Sequence, residues 1–343
     1  MTRRMITRTT VLLCAAVTAT GLAACSSDDD SGTPDSSGTT AQQAVDYPVT
    51  FHNSFGDSTV TQKPKRVAAL GWSDQALATE LGADVVLAPQ SYSSFSVGPN
   101  GDAGGPKMLP YLHPDAEPTW FDPMHPDIEA IATSDPDVIL ATSAFHMDDD
   151  MWRKLNDIAP VVGYEHAVYE ADPKDSVARI GQALGEPEKT GELVDKADKA
   201  VADLKEELPG LQGKTYVYGQ YRGTEVAAIT AADNATARFM SLIGLTPEPG
   251  VAGLGGDGAG GFTSLSMENI DMVDAADLFF MTYQGEVDRN EFEKNPAVSR
   301  LPIMKTGYKA LDKETATALQ DPNVVAVPWL IDQLKDALTK VAG

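Results

Sequence analysis

From about residue 47 onward, the chain alternates short apolar runs with amphipathic segments. Short apolar runs bounded by charged residues, glycine or proline predict buried strands, and apolar residues three or four positions apart predict helices. Strands that alternate with helices over short loops predict a parallel sheet covered on both faces. In the first half, strands are predicted at 65–70, 85–87, 138–141 and 161–162, and helices at 74–81, 127–133 and 148–156.

A longer amphipathic segment lies between the two halves. Its apolar residues recur at helical spacing from Leu193 to Leu208, with Asp, Lys and Glu between them. Pro187 suits a first helical turn and Pro209-Gly210 ends the segment. The predicted helix of about 22 residues would span about 33 Å. After it the alternation resumes, with strands predicted at 215–218, 226–230 and 278–282 and helices at 235–242 and 328–341.

One local pattern occurs twice, once in each half. In both copies an Ile follows a Glu by two positions, an Asp follows the Glu by six, and a strand comes next. The copies are Glu129-Ala130-Ile131 with Asp135 before the strand at Val138, and Glu268-Asn269-Ile270 with Asp274 before the strand at Leu278. This weak repeat predicts a protein with two similar lobes.

The first 25 residues have the pattern of an export signal. Arginines at positions 3, 4 and 8 precede an apolar stretch over 11–24 that is short for a membrane span. The stretch ends in Leu22-Ala23-Ala24-Cys25, which resembles the bacterial lipobox. We therefore expect a signal peptide over 1–24, lipidation of Cys25 and a flexible tether over 25–46, because the following Ser, Gly, Thr and Asp residues cannot pack a core. An ordinary secretory signal with an incidental cysteine is the alternative.

Composition excludes several classes of protein. With 26 Lys and Arg against 50 Asp and Glu, the formal net charge is −24, so no basic surface is available for nucleic acid. Because Cys14 and Cys25 both lie in the N-terminal segment, disulfide scaffolds, cysteine zinc sites and cysteine nucleophiles are not expected. The five histidines are dispersed, and neither Gly-x-Ser-x-Gly nor His-Glu-x-x-His occurs. We expect neither a catalytic site nor a resident metal or cofactor.

Several short segments in a fixed order carry a resemblance that begins at about Phe51. They are Pro64-Lys65-Arg66-Val67, Glu80-Leu81-Gly82-Ala83, Asp127 to Ile131, Asp135 to Leu140, Ser264 to Glu268, and Asn295-Pro296 with Leu301-Pro302. Through these segments the chain resembles the iron-siderophore and cobalamin family of substrate-binding lipoproteins that serve bacterial ABC importers. The resemblance implies two parallel-sheet α/β lobes joined by a single long rigid helix, with a ligand cleft between the lobes. The expected boundaries are 47–171 for the N-terminal lobe, 172–210 for the linking helices and 211–343 for the C-terminal lobe.

The same resemblance implies a role for the repeated glutamates. In that family one Glu on each lobe docks onto arginines of the membrane permease, and the matching residues here are Glu129 and Glu268. Two separated carboxylates would orient the protein on a two-fold permease. The alternative is a pair of solvated helix residues. A monomer, tied to the extracytoplasmic face of the cell membrane by its lipid, is expected.

Candidate ligand-binding residues come from the loops that follow the predicted strands. A ferric siderophore already fills the coordination sphere of iron, so the protein needs aromatic walls, hydrogen-bond donors and cationic groups rather than metal ligands. Trp72 and Tyr221 could equally be core residues, and Arg222 could form a surface ion pair instead of holding an anionic chelate. The candidates in these loops are Trp72, Tyr92, Phe145, His146, Tyr221, Arg222, Phe262 and Tyr283. Trp120 is a further candidate, because it lies shortly before the Glu129 helix, in a region that the resemblance implies is near the ligand.

Two alternatives to a ferric siderophore remain at this stage. The same fold could bind cobalamin, or heme through His146 and a tyrosine such as Tyr283, and an extracellular enzyme is a more distant alternative. The glycine-rich stretch 250–261 contains Gly253-x-Gly255-x-x-Gly258 but has no preceding strand, so a mobile loop is expected there rather than a nucleotide site. The favoured interpretation is capture of a ferric siderophore and its delivery to an ABC permease.

Overall fold

The structure is a computed structural model that describes residues 45–91, 108–113, 115–123, 125–144, 147–166, 173–255 and 261–343. The described residues belong to one compact unit, Gln42–Gly343. The predicted signal peptide and tether, with Cys25, lie outside them, as do three candidate ligand-binding residues: Tyr92, Phe145 and His146.

The first lobe is built on a parallel sheet, as the sequence predicts. Its strands run in the order β5-β4-β3-β6-β7, and a separate antiparallel hairpin, β1-β2, packs beside β7. The four residues of β6 are all buried, because helices cover both faces of the sheet. The strands are β1 (Val49–Asn53), β2 (Gly56–Val60), β3 (Arg66–Ala69), β4 (Asp84–Pro89), β5 (Thr119–Phe121), β6 (Val138–Ala141) and β7 (Val161–Gly163), and the helices are α1 (Trp72–Glu80), α2 (Ile128–Thr133) and α3 (Asp149–Asn156).

Two helices connect the lobes. They are α4 (Pro173–Leu184) and α5 (Pro187–Glu207), separated by Gly185, whose φ of +68° turns the chain, and by Glu186. The second of them is the long helix that the amphipathic pattern predicts, with proline in its first turn. Because the connection contains both helices, the expectation of a single rigid helix is not confirmed. The lobe boundaries inferred from the sequence stay predictions.

The second lobe has a mixed sheet, which corrects the expectation of two parallel sheets. β8 continues three residues beyond its predicted end, turns at Gly223 with a φ of +80°, and returns antiparallel as β9. β11 is antiparallel to β9, whereas β10, β12 and β13 are parallel to their neighbours. The strands are β8 (Thr215–Tyr221), β9 (Glu225–Ile229), β10 (Thr246–Pro247), β11 (Phe262–Ser266), β12 (Leu278–Thr282) and β13 (Tyr308–Ala310).

The helices of the second lobe include a long C-terminal one that packs on α5. A 3-10 helix over Met267–Ala275 precedes β12, at the place where α2 precedes β6 in the first lobe. The α-helices are α6 (Ala235–Leu242), α7 (Pro249–Ala252), α8 (Glu286–Lys294), α9 (Pro296–Ser299), α10 (Ile303–Thr306), α11 (Lys313–Gln320) and α12 (Ala326–Ala342). The glycine-rich stretch begins as α7, and its residues 256–260 lie outside the described residues.

One strand of each main sheet, β3 or β8, is fixed at its start by an equivalent aspartate. Asp137 accepts hydrogen bonds from the backbone N–H groups of Lys65 and Arg66 at 2.8 and 3.0 Å. Asp277 accepts from the N–H of Thr215 at 2.8 Å and from Nζ of Lys214 at 3.0 Å. Both aspartates lie just before the strand that follows the repeated Glu-x-Ile pattern. The repeat seen in the sequence therefore corresponds to a shared way of starting β3 and β8.

Each sheet buries one face in a core of its own and the other in a core shared by the lobes. Residues of β3, β6 and β7 with α2 and α3 form a cluster confined to the first lobe, and residues of β8, β9 and β12 with α8 to α10 form one confined to the second. The shared core contains α1, α4, α5, α6, α11 and α12 with the opposite faces of both sheets. Packing through this shared core places the lobes side by side.

Candidate ligand-binding site

Two of the predicted ligand-binding residues come together at the end of the second sheet. Arg222 begins the turn between β8 and β9 and is exposed, and its guanidinium lies 6.0 Å from the ring centroid of the half-buried Phe262. The guanidinium also donates a 3.3 Å hydrogen bond to Oε1 of Gln220. A cation over an aromatic ring beside an amide gives this surface both apolar area and hydrogen-bond donors. We call Gln220, Arg222 and Phe262 the arginine patch.

Tyr221 and Tyr283 lie on the other face of the same sheet. Successive side chains of a strand point to opposite faces, so Tyr221 cannot accompany Arg222. Tyr221 is only 2% exposed, and its ring lies 5.1 Å from that of Phe292 in the second lobe's own core. Its hydroxyl bonds to Glu291 at 3.1 Å. The sequence leaves two roles open for Tyr221, ligand contact and core residue. This environment is that of a core residue.

Tyr283 belongs to a hydrogen-bonded chain of polar groups beneath α8. Its hydroxyl lies 2.8 Å from that of Tyr308, which donates to Oε1 of Glu293 at 2.8 Å. Arg289 donates to the same carboxylate at 2.8 Å. Burial raises the pKa of the Tyr283 hydroxyl, and the neighbouring Tyr308 adds to the effect. Tyr283 therefore stays neutral as long as it keeps these partners.

The two described aromatic candidates of the first lobe differ in exposure. Trp72, the first residue of α1, is 4% exposed, and its indole N–H donates to the carbonyl of Gln90 at 3.0 Å. Trp120, in β5, is half-buried and its indole N–H donates to Glu117 at 2.8 Å. Trp120 thus keeps an accessible ring, whereas Trp72 fills the shared core. Their roles in ligand binding stay predictions.

The repeated glutamates occupy equivalent positions in the two lobes. Glu129 and Glu268 are each the second residue of the short helix that precedes β6 or β12, and both are exposed. Neither carboxylate makes a hydrogen bond or ion pair with another residue in the described part of the chain. Both are therefore available to an external partner.

A cavity of about 270 Å³ lies between the lobes beside α5. The first lobe contributes α1 and the segment after β6, and the second contributes α6, the segment after α11 and the start of α12, with the connecting helices α4 and α5 beside them. None of the predicted ligand-binding residues that the structure describes lines it. Its lining is Ser73, Leu77, Thr142, Ser143, Lys174, Ser176, Val177, Ala197, Asp198, Ala235, Arg238, Phe239, Leu242, Asp321, Pro322, Asn323, Val324 and Val327.

At one wall of this cavity the lobes make direct polar contact. Ser73 donates to the carboxylate of Asp321 through its backbone N–H at 2.7 Å and its hydroxyl at 2.6 Å. Nearby, Nδ2 of Asn323 donates to the hydroxyl of Tyr111 at 3.2 Å. All four residues are buried. Sequence reasoning missed this contact, since no local pattern relates residues 248 positions apart.

The described residues contain neither a candidate metal site nor a membrane-spanning helix. No three His, Cys, Asp or Glu side chains among them are grouped so that they could hold a metal ion. None of the helices that the structure describes has the length and apolar character needed to cross a membrane.

Two curated proteins of Bacillus subtilis (strain 168) are similar in sequence. One is the Fe(3+)-citrate-binding protein YfmC, 26% identical over 196 residues that make up 56% of this chain and 58% of that protein. The other is the probable siderophore-binding lipoprotein YfiY, 24% identical over 223 residues, or 63% of this chain and 67% of that protein. The matched region thus spans less than two thirds of YfmC.

Solved structures share the fold over most of the chain. A periplasmic solute binding protein from Mycobacterium smegmatis superposes with a TM-score of 0.70 at 26% identity, covering 86% of this chain and 99% of that one. PiaA of Streptococcus pneumoniae, solved with ferrichrome, gives 0.67 at 20% identity, covering 86% and 98%. The family model for periplasmic binding proteins matches residues 67–316, from β3 into α11. Because this match covers both sheets, the chain belongs to the periplasmic binding protein family.

Proposed function

We propose that the protein captures a ferric siderophore outside the cytoplasmic membrane and delivers it, chemically unchanged, to an ABC permease. The observation that carries the proposal is the family match over both lobes, 67–316. It is supported by the two curated relatives, whose names refer to ferric citrate and to siderophores. It is also supported by the arrangement of two lobes around an interface, which is where ligands of such folds are held.

The arginine patch is the proposed contact of the second lobe with the chelate. A siderophore presents apolar or aromatic surface around its iron, together with carbonyl or carboxylate oxygens. The ring of Phe262 offers the first kind of contact, and the guanidinium of Arg222 donates to the second. In a chain with a formal charge of −24, this exposed cation favours an anionic chelate at this place. Trp120 is the proposed aromatic contact from the first lobe.

Delivery to the permease is proposed to use Glu129 and Glu268. Both carboxylates are exposed at matching positions, and neither is engaged by another described residue. Arginine pairs with carboxylates in bidentate geometry, so two such pairs would fix the orientation of both lobes.

The membrane anchor is proposed to be a lipid on Cys25. The lipobox-like sequence before it and the Ser- and Gly-rich segment after it support this assignment. Two buried acyl chains would hold the protein at the membrane without a transmembrane helix. In cell fractionation, Cys25→Ala should move the mature protein from the membrane pellet to the soluble fraction. A variant that stays in the pellet would contradict lipidation at this residue.

A fluorescence titration under one buffer tests the ligand class. Trp120 is half-buried and is the proposed contact of the first lobe, so it serves as a reporter. Ferric citrate, ferrichrome, a ferric catecholate, hemin and cobalamin should be added in turn, with the iron-free siderophores as controls. We expect saturable quenching by at least one ferric chelate and none by its iron-free form. Binding of hemin with a Soret band, or of cobalamin, without binding of any ferric chelate would overturn the proposal.

A further inference from the structure

The contact between Ser73 and Asp321 links the lobes through a buried carboxylate. Asp321 follows α11 in the second lobe, and Ser73 lies in the first turn of α1 in the first lobe. Asp321 is 8% exposed, and its carboxylate accepts two hydrogen bonds, at 2.6 and 2.7 Å, from Ser73 across the interface. Separating the lobes would break both bonds at once.

A second buried carboxylate lies directly beside the first. Asp74 follows Ser73 in the chain and is 0% exposed. Its Oδ1 accepts from the N–H and the hydroxyl of Thr142 at 2.9 and 2.6 Å, and its Oδ2 accepts from the N–H of Ser143 at 3.4 Å. Neither Asp74 nor Asp321 forms an ion pair with any described Lys, Arg or His. Two buried like charges without a cation are stable together only when they hold a proton.

We propose that Asp74 and Asp321 act as positioning residues that set the separation of the lobes, and that uptake of a proton by the pair favours the closed arrangement. The open state hydrates both carboxylates and lets both ionise. The closed state removes them from water and favours protonation of one of them, which relieves the repulsion between two buried negative charges. Closure of the cleft and proton uptake are therefore coupled, whichever ligand the cleft holds.

The direction of the coupling follows from burial. Burial raises the pKa of Asp74 to about 6, helped by the charge of Asp321 and opposed by the hydrogen bonds from Thr142 and Ser143. Burial also raises the pKa of Asp321. A raised pKa in the closed state means that closure is favoured as the pH falls through about 6 and is weakened above it. The closed arrangement of the lobes should thus be most populated in mildly acidic surroundings.

The other charged or titratable groups around the cavity differ from this pair. Lys174 on α4 is 2.8 Å from Asp198 on α5, and Arg238 faces the cavity from α6. Burial raises the pKa of the nearby Tyr111 hydroxyl, which therefore stays neutral. Lysine and arginine keep their charge between pH 5 and pH 8. Asp198 is the remaining acid of the cavity lining and provides a matched control.

Distances between spin labels on the two lobes test the proposal without any ligand. The labels are placed at Ala132→Cys on α2 and Asp271→Cys in the equivalent helix of the second lobe, both exposed. The full chain is used, with Cys14→Ser and Cys25→Ser, and double electron–electron resonance is recorded from pH 8 to pH 5. As the pH falls, we expect the distribution of distances to become narrower and to move to shorter distances. The midpoint of this transition should lie near pH 6, as for Asp74.

Four single variants test whether the buried pair of aspartates causes the pH-dependent change in distance. Asp74→Asn should remove the transition near pH 6, and Asp321→Asn should move it to lower pH, because it removes the neighbouring charge but not the burial of Asp74. Ser73→Ala should broaden the distribution at pH 5, and Asp198→Asn should keep the wild-type transition. Circular dichroism reports folding, and either Asn variant alone suffices if the other does not fold. A wild-type distribution that is the same at pH 5 and pH 8 would overturn the proposal. So would an unchanged transition in Asp74→Asn, or its loss in Asp198→Asn.

Discussion

The two lobes follow one plan but differ at the edge of the sheet. In each lobe an aspartate, Asp137 or Asp277, holds the start of one strand, β3 or β8, and an exposed Glu lies in the short helix before β6 or β12. The first lobe continues with parallel strands only, whereas the second inserts the β8–β9 hairpin. That hairpin carries Arg222. The features shared by the lobes suit a two-fold partner, and the feature found in one lobe suits an asymmetric ligand.

Reversing both repeated charges should have the largest effect. Glu129→Lys with Glu268→Lys should reduce iron uptake by cells at least tenfold, because each lysine would repel the arginine that the glutamate is proposed to pair with. Ligand affinity of the purified variant should stay within twofold of wild type. Uptake of radioactive iron and a fluorescence titration measure the two quantities.

The single variants sharpen the comparison of the lobes. Glu129→Lys and Glu268→Lys should each reduce uptake, to a similar extent, if the lobes dock as equivalents. Glu192→Lys, an exposed charge reversal on α5, is the control and should leave uptake unchanged. Loss of ligand affinity in the double variant would show that these residues serve the cleft instead.

The next largest effect is expected at the hairpin. Arg222→Gln should weaken binding of the ferric chelate that the wild type binds most tightly roughly 10- to 100-fold, since a charge-assisted hydrogen bond contributes about 1.5–3 kcal/mol. Tyr221→Phe is the matched control one residue earlier, on the opposite face of the strand. It should change the affinity by less than about twofold, because it removes one hydrogen bond of the core. Isothermal titration calorimetry measures the affinity of both variants. Equal losses of affinity would contradict the assignment of Arg222 to the ligand-binding face and Tyr221 to the core face of the sheet.

A smaller effect is expected at the two strand-starting aspartates. Asp137→Asn and Asp277→Asn should each lower the free energy of unfolding by about 1 kcal/mol, because each loses a charge that accepts backbone hydrogen bonds. Chemical denaturation at pH 7 measures the loss. Unequal effects of several kcal/mol would show that the lobes do not depend on this contact in the same way.

The effect of pH on the stability lost in these two variants follows from the hydrogen bonds that the wild-type aspartates accept. The N–H groups of Arg66 and Lys65 hold the pKa of Asp137 below its usual value. Burial acts to raise the pKa of Asp277, but hydrogen bonds from Thr215 and Lys214 outweigh it and leave the pKa lowered. A lowered pKa gives stability that is present at neutral pH and is lost as the pH falls. The difference between wild type and either variant should therefore shrink toward acid pH.

The smallest effect is expected at Tyr283. Tyr283→Phe removes one hydroxyl, while Tyr308 keeps its hydrogen bond to Glu293. The free energy of unfolding should fall by about 0.5–1 kcal/mol, the contribution of one neutral hydrogen bond. Ligand affinity should not change if Tyr283 is a core residue of the second lobe. A tenfold loss of affinity would place its hydroxyl in the binding site.

The local elements of the fold follow from the sequence where the apolar pattern is continuous. The strands at 138–141 and 278–282 and the helix at 235–242 occur where the pattern predicts them. The β1–β2 hairpin was not predicted, because its two short strands contain polar residues on both sides of the turn. The mixed sheet was also missed. A strand such as β8 has the same apolar sequence whether its neighbour is parallel or antiparallel, so the pattern does not show the direction of pairing.

The site was harder to predict, because it depends on the direction of side chains and on distant contacts. Adjacent positions in the sequence suggested one surface for Tyr221 and Arg222, but the extension of β8 through Tyr221 places them on opposite faces. The Ser73–Asp321 contact joins residues from different lobes, and one sequence contains no signal for such a pair. The positions of Glu129 and Glu268, in contrast, were predictable from the repeat.

The position of iron in the liganded protein tests the central claim most directly. Crystals grown with the ferric chelate that binds most tightly should be measured at the iron absorption edge. We expect a single anomalous peak between the lobes, within reach of a chelate that contacts Arg222 and Phe262 on one side and Trp120 on the other. A peak in the cavity beside α5, at a protein carboxylate or tyrosine, or absent despite saturating chelate would contradict the account.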